Sequence, residues 1–265
     1  MVVGDPTTSF EPRPAAAEPY RPDTVADGWS TDHFTVRAAS VRGYAHRYQG
    51  VPREDDFAVA VRDTGALVVA VADGVSGAEQ SHVGATLVCR TAVDFLLRNE
   101  ADWSELARCA SWALVEYASR RLPEPDPVAA ERLLATTLVV ALVQPGGQAT
   151  VVQLGDSGAW LLRDRRYENL VHGKHGDVIP NDVSALPRVP AKVVEHTMTI
   201  PDNGVLLVGT DGFGDPLGDG TGKVGALFAE HLTSPPAPLG LAHLLDFSRE
   251  TYDDDRTLVA VWRRP

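Results

Sequence analysis

Apolar residues in this chain come mainly in short runs of about six, which is the pattern of strands buried within a sheet. Turn sequences such as 63-DTG-65 and 145-PGG-147 separate several of these runs, so neighbouring runs are predicted to pair as antiparallel strands. The predicted strands are 34–41, 57–63, 66–73, 136–143, 149–156, 158–164, 204–211 and 257–262.

The spacing of apolar residues changes to that of helices in three places. Residues 80–99 carry them three and four positions apart, and a second helix is predicted from a capping box at Asp102 to the proline-rich break at 123–127. A third helix is predicted over 236–252, whereas residues 165–200 have little core pattern and are predicted to be irregular. This order predicts an α+β fold, in which antiparallel sheets pack together with helices on their outer faces.

The N-terminal part of the chain differs from the rest. Residues 1–30 contain five prolines among alanine, acidic and threonine residues, and they show no apolar periodicity. A segment of this composition buries too little apolar surface to offset the entropy lost on ordering the chain. We therefore expect a disordered proline-rich tail over 1–30, followed by one folded domain over 31–265.

Charge and cysteine content narrow the possible partners and location. The chain has 36 acidic residues against 24 lysines and arginines, a formal net charge of −12, which argues against nucleic acid or an anionic membrane as a partner. Cys89 and Cys109 lie in apolar helical patterns, so neither a disulfide nor a zinc site is predicted. Because no apolar run approaches about 20 residues and no signal sequence is visible, we expect a cytoplasmic protein.

Three predicted strands end in an aspartate beside a glycine, and two acidic groups stand directly before other strands. The aspartates are Asp73, Asp156 and Asp211, and the acidic groups are 54–56 and 253–255. Each one alone is typical of an ordinary turn, because Asp and Gly are favoured turn residues. If the strands are neighbours, however, their ends converge, and the carboxylates would repel one another unless cations neutralised them. Oxygen ligands without matching His or Cys favour Mg²⁺ or Mn²⁺ over zinc or copper.

The order of these motifs resembles that of a known family. The strings EDDF, ADGVSG, ATTLVVALV, LGDSG, VGTDGFGD and DDRTLVAV, which lie between Phe34 and Trp262, are similar to those of bacterial metal-dependent protein phosphatases of type 2C. The resemblance implies a four-layer αββα sandwich with two Mg²⁺ or Mn²⁺ ions at one end. It also implies that residues 31–265 form a catalytic domain that hydrolyses phosphoserine or phosphothreonine in a protein substrate.

The resemblance also assigns the metal ligands. Asp73 matches the aspartate that bridges the two metals, and Gly74 matches the glycine beside it, whose carbonyl can approach a metal because there is no side chain. Asp211 and Asp254 match two further core ligands, the latter because it stands three residues before a threonine. Asp55 matches an early acidic residue of the core.

Bacterial members hold a third, weaker metal, and the matching positions here are Asp156 and Asp215. Many members also carry an arginine for the substrate phosphate five residues before the early acid, where this chain has Gly50. His46 and Arg47 are the nearest candidates for that role, as in a bacterial subgroup with a Gly-x-x-His pattern. The alternative is that both are loop residues facing solvent.

Three more positions depart from the family pattern. Arg53 and Asp255 stand where asparagines are usual, and Gly158 stands where an arginine is usual. Glu54, between Arg53 and Asp55, is expected to reach a metal through water. These departures affect the anchoring of substrate more than the binding of metal.

Two classes of function stay open at this point. In the first, the protein is a monomeric phosphatase in which two divalent ions activate a water for attack on the phosphorus. In the second, the same fold serves as a non-catalytic binding or regulatory module. A decayed member would be expected to have lost core acids, and this chain keeps all four, which favours the enzyme. The four are Asp55, Asp73, Asp211 and Asp254.

Overall fold

The strands of the molecule form two antiparallel sheets, seen in a computed structural model that describes residues 1–16, 18–120, 126–171 and 185–264. The strands are β1 (Thr24–Ser30), β2 (Phe34–Val41), β3 (Asp56–Val61), β4 (Leu67–Ala72), β5 (Leu138–Val143), β6 (Gln148–Leu154), β7 (Gly158–Arg163), β8 (Arg166–Val171), β9 (Glu195–Thr199), β10 (Gly204–Gly209) and β11 (Arg256–Arg263). One sheet has six strands in the order β1-β2-β11-β10-β7-β8. The other has five, in the order β3-β4-β5-β6-β9.

The described part of the chain has seven helices. They are α1 (Tyr44–Gln49), α2 (Ser81–Arg98), α3 (Trp103–Ser119), α4 (Pro127–Leu134), α5 (Asp211–Leu217), α6 (Lys223–His231) and α7 (Pro238–Leu245). The five-stranded sheet packs against α2, α3 and α4, whereas the six-stranded sheet packs against α5, α6 and α7. These four layers confirm the predicted αββα fold. No helix in the described ranges is both long and apolar enough to cross a bilayer.

The continuous apolar runs follow from this layering. In β4, Val69 and Val71 face the space between the two sheets, where they join Val259 of β11 in one buried cluster. Val68 and Ala70, which alternate with them, belong to the cluster beneath α2 and α3. Because side chains of a strand point alternately to the two faces, a strand covered on both faces is apolar at every position.

Local sequence signals place several boundaries correctly. The strand β2 spans the predicted residues 34–41, and α2 begins and ends within one residue of the predicted 80–99. The helix α3 follows the predicted cap, in which the side chain of Asp102 accepts a hydrogen bond of 2.9 Å from the backbone N–H of Glu105. This bond satisfies one of the N–H groups that the first turn of a helix leaves free.

Three strands that the sequence does not predict all lie at sheet edges: β1, β8 and β9. Edge strands are partly exposed here, so they lack the apolar pattern on which the predictions rest. The prediction of a disordered tail over 1–30 is wrong for Thr24–Ser30, which pairs with β2 along its whole length. The prediction of an irregular segment is wrong for β8 and β9, and residues 172–184 lie outside the described ranges.

The last predicted helix is shorter than expected. The helix α7 covers Pro238–Leu245 within the predicted 236–252. Beyond it, the backbone of 246–255 forms a loop that returns to the start of β11. The side chain of Arg256, the first residue of β11, donates hydrogen bonds to the carbonyls of Leu245 and Phe247. These bonds let the chain leave the helix without burying unpaired carbonyls.

Candidate metal centre

One end of the sandwich collects the segments that carry the acidic residues. In the five-stranded sheet, Asp56 at the start of β3 pairs with Ala72 at the end of β4. In the six-stranded sheet, Gly209 at the end of β10 pairs with Leu258 on one side and with Gly158 on the other. The antiparallel registers therefore bring the predicted acidic turns together at one end within each sheet.

Three of the predicted aspartates form a compact cluster there. Asp73 follows β4, Asp156 lies between β6 and β7, and Asp211 is the first residue of α5. One carboxylate oxygen of each lies within 4.8 Å of the other two, and all three side chains are half-buried. The strand-end aspartates thus meet as predicted, although they are far apart in the chain.

A second group combines His46 of α1 with Asp254 and Asp255, again within 4.8 Å of one another. Asp255 is buried, and its two oxygens accept hydrogen bonds from the backbone N–H of Gly43 at 2.6 Å and of Glu54 at 2.5 Å. His46 Nδ1 lies 3.0 Å from Asp255 Oδ1. Asp254 is exposed, so Asp255 fixes the loops while Asp254 stays accessible to a ligand.

A cavity of about 350 Å³ touches both groups, through Asp211 of the first and through His46 and Asp254 of the second. Its lining includes His46, Asp211, Asp215 and Asp254, and Ser76 of the turn after β4 completes one side. Four of the predicted site residues therefore face a common space. The cavity is open to solvent, as a site for a protein substrate must be.

Asp55 lies buried beside these groups. Its Oδ2 accepts hydrogen bonds of 2.8 Å from the hydroxyls of Thr210 and Thr257, and its Oδ1 has no hydrogen-bond partner among the residues that the structure describes. Burial raises the pKa of Asp55 well above its usual value, and the charges of Asp255 and Asp254 raise it further. A buried carboxylate oxygen without a donor matches a site that a cation, or water on a cation, would complete.

The turn that carries Asp73 is held tightly by backbone contacts. The carbonyl of Asp73 accepts hydrogen bonds from the backbone N–H of Thr137 at 2.8 Å and from the hydroxyl of Thr136 at 2.7 Å. A Cβ atom at Gly74 would lie 2.7 Å from Ser81 Cβ and 2.9 Å from the carbonyl oxygen of Glu54. Only glycine fits this position without displacing its neighbours.

The carboxylates of the centre repel one another, so a bound cation would stabilise their charged forms. Burial raises the pKa of Asp73, and the negative charges of Asp55 and Asp211 add to this effect. Burial also raises the pKa of Glu54, to about 7. Burial alone would lower the pKa of His46, but the hydrogen bond and charge of Asp255 outweigh it and raise that pKa to about 9. Converging carboxylates with oxygen ligands alone in the first cluster fit hard divalent cations such as Mg²⁺ and Mn²⁺.

Of the two candidates for the substrate phosphate, the geometry favours His46 over Arg47. Arg47 donates a hydrogen bond of 2.8 Å to Asp246 Oδ1, and its guanidinium stacks over the ring of Tyr44, 5.3 Å from the centroid. It is not among the residues that line the cavity, whereas His46 is. The bond to Asp246 ties α1 to the segment after α7.

Packing accounts for two departures from the family pattern. Gly50 ends α1 with a φ of 78°, a left-handed conformation that favours glycine over arginine. A Cβ atom at Gly158 would lie 2.7 Å from the ring of Trp160, so a side chain at this position would displace a buried tryptophan. Arg53, another of these departures, is buried and donates hydrogen bonds to Ser40 Oγ and to the backbone carbonyl of Asp55.

Sequence reasoning did not identify the groups that orient the ligands. Thr210 directly precedes Asp211, and Thr257 stands three residues after Asp254. Both threonines could therefore have been found by their short distance in sequence from a predicted ligand. Arg21 lies in the segment that was expected to be a disordered tail, and no sequence signal connects it with the centre. Its contacts with the loop around Asp55 are long-range in the sequence.

The four-layer fold and the acidic centre at one end define a metal-dependent phosphoester hydrolase. The family model described as Protein phosphatase 2C matches residues 42–246, so this chain belongs to the protein phosphatase 2C family. It is accordingly a metal-dependent protein phosphatase with Mg²⁺ or Mn²⁺ as its cofactor. The predictions of family, fold, activity and cofactor are thereby confirmed.

Solved structures of known proteins share this fold. RsbX in complex with magnesium is 14% identical, with a TM-score of 0.62, over 91% of this chain and 100% of that chain. The catalytic domain of the serine/threonine phosphatase PstP with two manganese ions is 22% identical, with a TM-score of 0.63, over 88% and 99%. PppA of Pseudomonas aeruginosa is 19% identical, with a TM-score of 0.57, over 90% and 100%. At these identities the similarity concerns the fold alone, and no curated protein sequence matches this chain.

Proposed function

We propose that this protein removes phosphate from phosphoserine or phosphothreonine in a protein substrate, at the acidic end of the sandwich. The observation that carries the proposal is the cluster of Asp73, Asp156 and Asp211, whose carboxylate oxygens lie within 4.8 Å of one another beside an open cavity. Asp73, Asp211, Asp254 and the carbonyl of Gly74 would hold two divalent ions.

The remaining site residues have supporting roles in this proposal. Asp156 and Asp215 would contribute to a third metal site, buried Asp55 would be a further ligand of the core, and Glu54 would reach a metal through water. When bound, the ions offset phosphate charge and supply a nucleophile at neutral pH. His46 faces the cavity with its ring held by Asp255, so it is placed to contact the substrate phosphate.

The chain's own residues keep this arrangement rigid. Thr210 and Thr257 orient one oxygen of Asp55, and the Thr136–Thr137 pair fixes the turn that carries Asp73. Holding the ligands before the substrate arrives avoids reorganisation during the reaction, which is how such sites lower a barrier.

The alternative is a non-catalytic binding or regulatory module. It predicts that core acids are lost or turned away from one another. Asp55, Asp73, Asp211 and Asp254 are all present, and Asp211 and Asp254 line one cavity. The arrangement of these groups therefore favours an active enzyme.

We also propose that the protein is a cytoplasmic monomer without a nucleic-acid or membrane partner. The support is its net charge of −12 and its two free cysteines, Cys89 and Cys109. A charge of this sign repels polyanions such as nucleic acids. The catalytic domain would begin at β1, at Thr24, because this strand completes an edge of the six-stranded sheet.

The central experiment measures phosphate release from p-nitrophenyl phosphate and from a phosphothreonine peptide. We expect turnover with millimolar Mn²⁺ or Mg²⁺, its loss in EDTA, and its recovery when Mn²⁺ is added in excess. Calcium, which prefers longer bonds and higher coordination, serves as the metal control. A pure, folded sample that releases no phosphate from either substrate with Mn²⁺ would favour the binding module.

The Gly74→Ala substitution tests the close approach of the backbone in the turn after β4. The added methyl group would meet Ser81 and the carbonyl of Glu54, so the turn must shift, and we expect turnover to fall about tenfold or more. Gly77→Ala is the matched control, because a Cβ atom there meets nothing within 4 Å. Equal turnover of the two variants at saturating Mn²⁺ would argue against a role for the Gly74 carbonyl.

A further inference from the structure

Several residues within 1–16 and 18–23 contact the loops that carry the proposed metal ligands. The backbone N–H of Val3 donates a hydrogen bond of 3.0 Å to the carbonyl of Ser248. Thr7 Oγ1 donates to the carboxylate of Asp253, next to Asp254. Further along, the N–H of Arg13 donates to the carbonyl of Arg47 in α1 at 2.8 Å. We call residues 1–23 the N-terminal segment.

Arg21 is the residue of this segment that reaches closest to a proposed ligand. Its side chain is 14% exposed, and its guanidinium donates hydrogen bonds to the backbone carbonyls of Arg53 at 2.5 Å and of Asp55 at 2.8 Å. A third bond, of 3.2 Å, goes to Thr86 Oγ1 in α2, and the carboxylate of Asp56 lies 3.6 Å away. Arg21 therefore ties the loop before β3 to a neighbouring helix.

Two guanidinium groups converge on one carbonyl oxygen. The carbonyl of Asp55 accepts hydrogen bonds from Arg21 and from Arg53, and the carboxylate of Asp56 lies 3.6 Å from the first guanidinium and 3.9 Å from the second. A carbonyl held by two charged donors fixes the plane of its peptide group and so the direction in which the Asp55 side chain leaves the backbone. That side chain is the one whose Oδ1 is buried without a hydrogen-bond partner in the described part of the chain.

We propose that Arg21 is a positioning residue for the metal centre, which holds the Asp55 carboxylate in the direction that a bound divalent ion requires. The inference rests on the proposed function, in which Asp55 serves that ion. Arg21 acts through Asp55 and not on the substrate, because none of residues 1–16 and 18–23 is among those lining the cavity. The segment also precedes residues 42–246, which match the family, so the assignment concerns this chain in particular.

The test is the affinity of the full-length, metal-free protein for Mn²⁺, measured by titration calorimetry. We expect Arg21→Ala to raise the dissociation constant about tenfold or more, because groups that orient metal ligands typically have effects of this size. Arg21→Lys should recover part of the affinity, since an ammonium can still pair with Asp56 but cannot reach both carbonyls as a planar fork does. Amide hydrogen exchange of residues 53–57, without metal, should be faster in Arg21→Ala.

Arg13→Ala is the matched control. It removes the same charge from the same segment, but the Arg13 side chain stacks over Tyr48, with a separation of 5.2 Å, instead of reaching the Asp55 loop. This variant should bind Mn²⁺ as the wild type does. If Arg21→Ala does not fold, Arg21→Lys carries the comparison.

The outcomes separate this inference from the proposed function. If both Arg21 variants bound Mn²⁺ with wild-type affinity, the positioning role would be overturned and the proposed metal centre would not be affected. This holds even if Arg21→Ala were less stable to heat. An equal loss of affinity in Arg13→Ala would overturn it too, because the effect would then belong to charge and not to position. A wild-type protein that binds no Mn²⁺ would overturn the proposed metal centre together with this inference.

Discussion

Replacing Asp73 by asparagine is expected to lower the turnover of p-nitrophenyl phosphate by about 10³-fold or more at saturating Mn²⁺. Asp73 lies within 4.8 Å of both Asp156 and Asp211, so one substitution removes the charge that would be shared between bound ions. Metal ions contribute several kcal/mol to transition states of this kind, and about 1.4 kcal/mol corresponds to a factor of ten in rate.

The same substitution should leave the metal-free protein folded. The pKa of Asp73 is raised by burial and by the charges of Asp55 and Asp211, so the carboxylate is in an unfavourable place without metal, and an asparagine relieves the repulsion. We expect a Tm in EDTA at least as high as that of the wild type, together with a smaller rise in Tm on adding Mn²⁺.

The exposed Asp94 of α2 offers the matched control, since Asp94→Asn removes the same charge outside the acidic cluster and outside the cavity lining. It should keep wild-type turnover and the full stabilisation by Mn²⁺. A wild-type rate for Asp73→Asn would exclude the bridging role, whatever the behaviour of the control.

Replacing Gly212 by alanine is expected to damage both stability and turnover. Gly212 is the second residue of α5, and a Cβ atom there would lie 1.9 Å from the backbone carbonyl oxygen of Asp255. Because backbone cannot move aside as a flexible side chain can, we expect about 2 kcal/mol or more of destabilisation and a fall in Tm of about 4–8 °C. The shift would also separate Asp211 from Asp254, and misplacement by about 1 Å can lower a rate about 10²-fold.

Gly222→Ala serves as the comparison for this prediction. Gly222 precedes α6 with a φ of −79°, and a Cβ atom there meets nothing within 4 Å. The measurement is the Tm and the turnover of both variants under the same conditions, and we expect both values to fall only in Gly212→Ala. Wild-type Tm and turnover in Gly212→Ala would show that α5 does not depend on this close approach to position Asp211.

The buried strands could be predicted from the sequence because a buried strand is a continuous run of apolar residues. Strands such as β4 and β5 are covered on both faces, and every one of their residues is buried. The edge strand β1 has no such apolar run, because most of its residues are partly exposed and its sequence includes Asp27 and Gly28. Its place depends on pairing with β2, an interaction between residues that do not need to be apolar.

The site divides in a similar way. The aspartates could be found because each stands where an apolar strand ends, which is a local property of the chain. Which aspartates meet depends on the strand registers, and the direction of each side chain depends on partners far along the chain. Arg47 turns to Asp246, 199 positions away, and Arg21 reaches the carbonyl of Asp55, 34 positions away.

The sequence by itself determined the layered fold, the family and the set of acidic residues. Apolar periodicity and strand-end motifs are patterns of residues that are close together in the chain, so they can be recognised without the structure. Only the tertiary structure decided that Arg21 binds the loop before β3, that Asp255 lies against His46, and that Arg47 pairs with Asp246. These outcomes depend on hydrogen bonds and charges between distant segments, and such pairings exist only once the chain has folded.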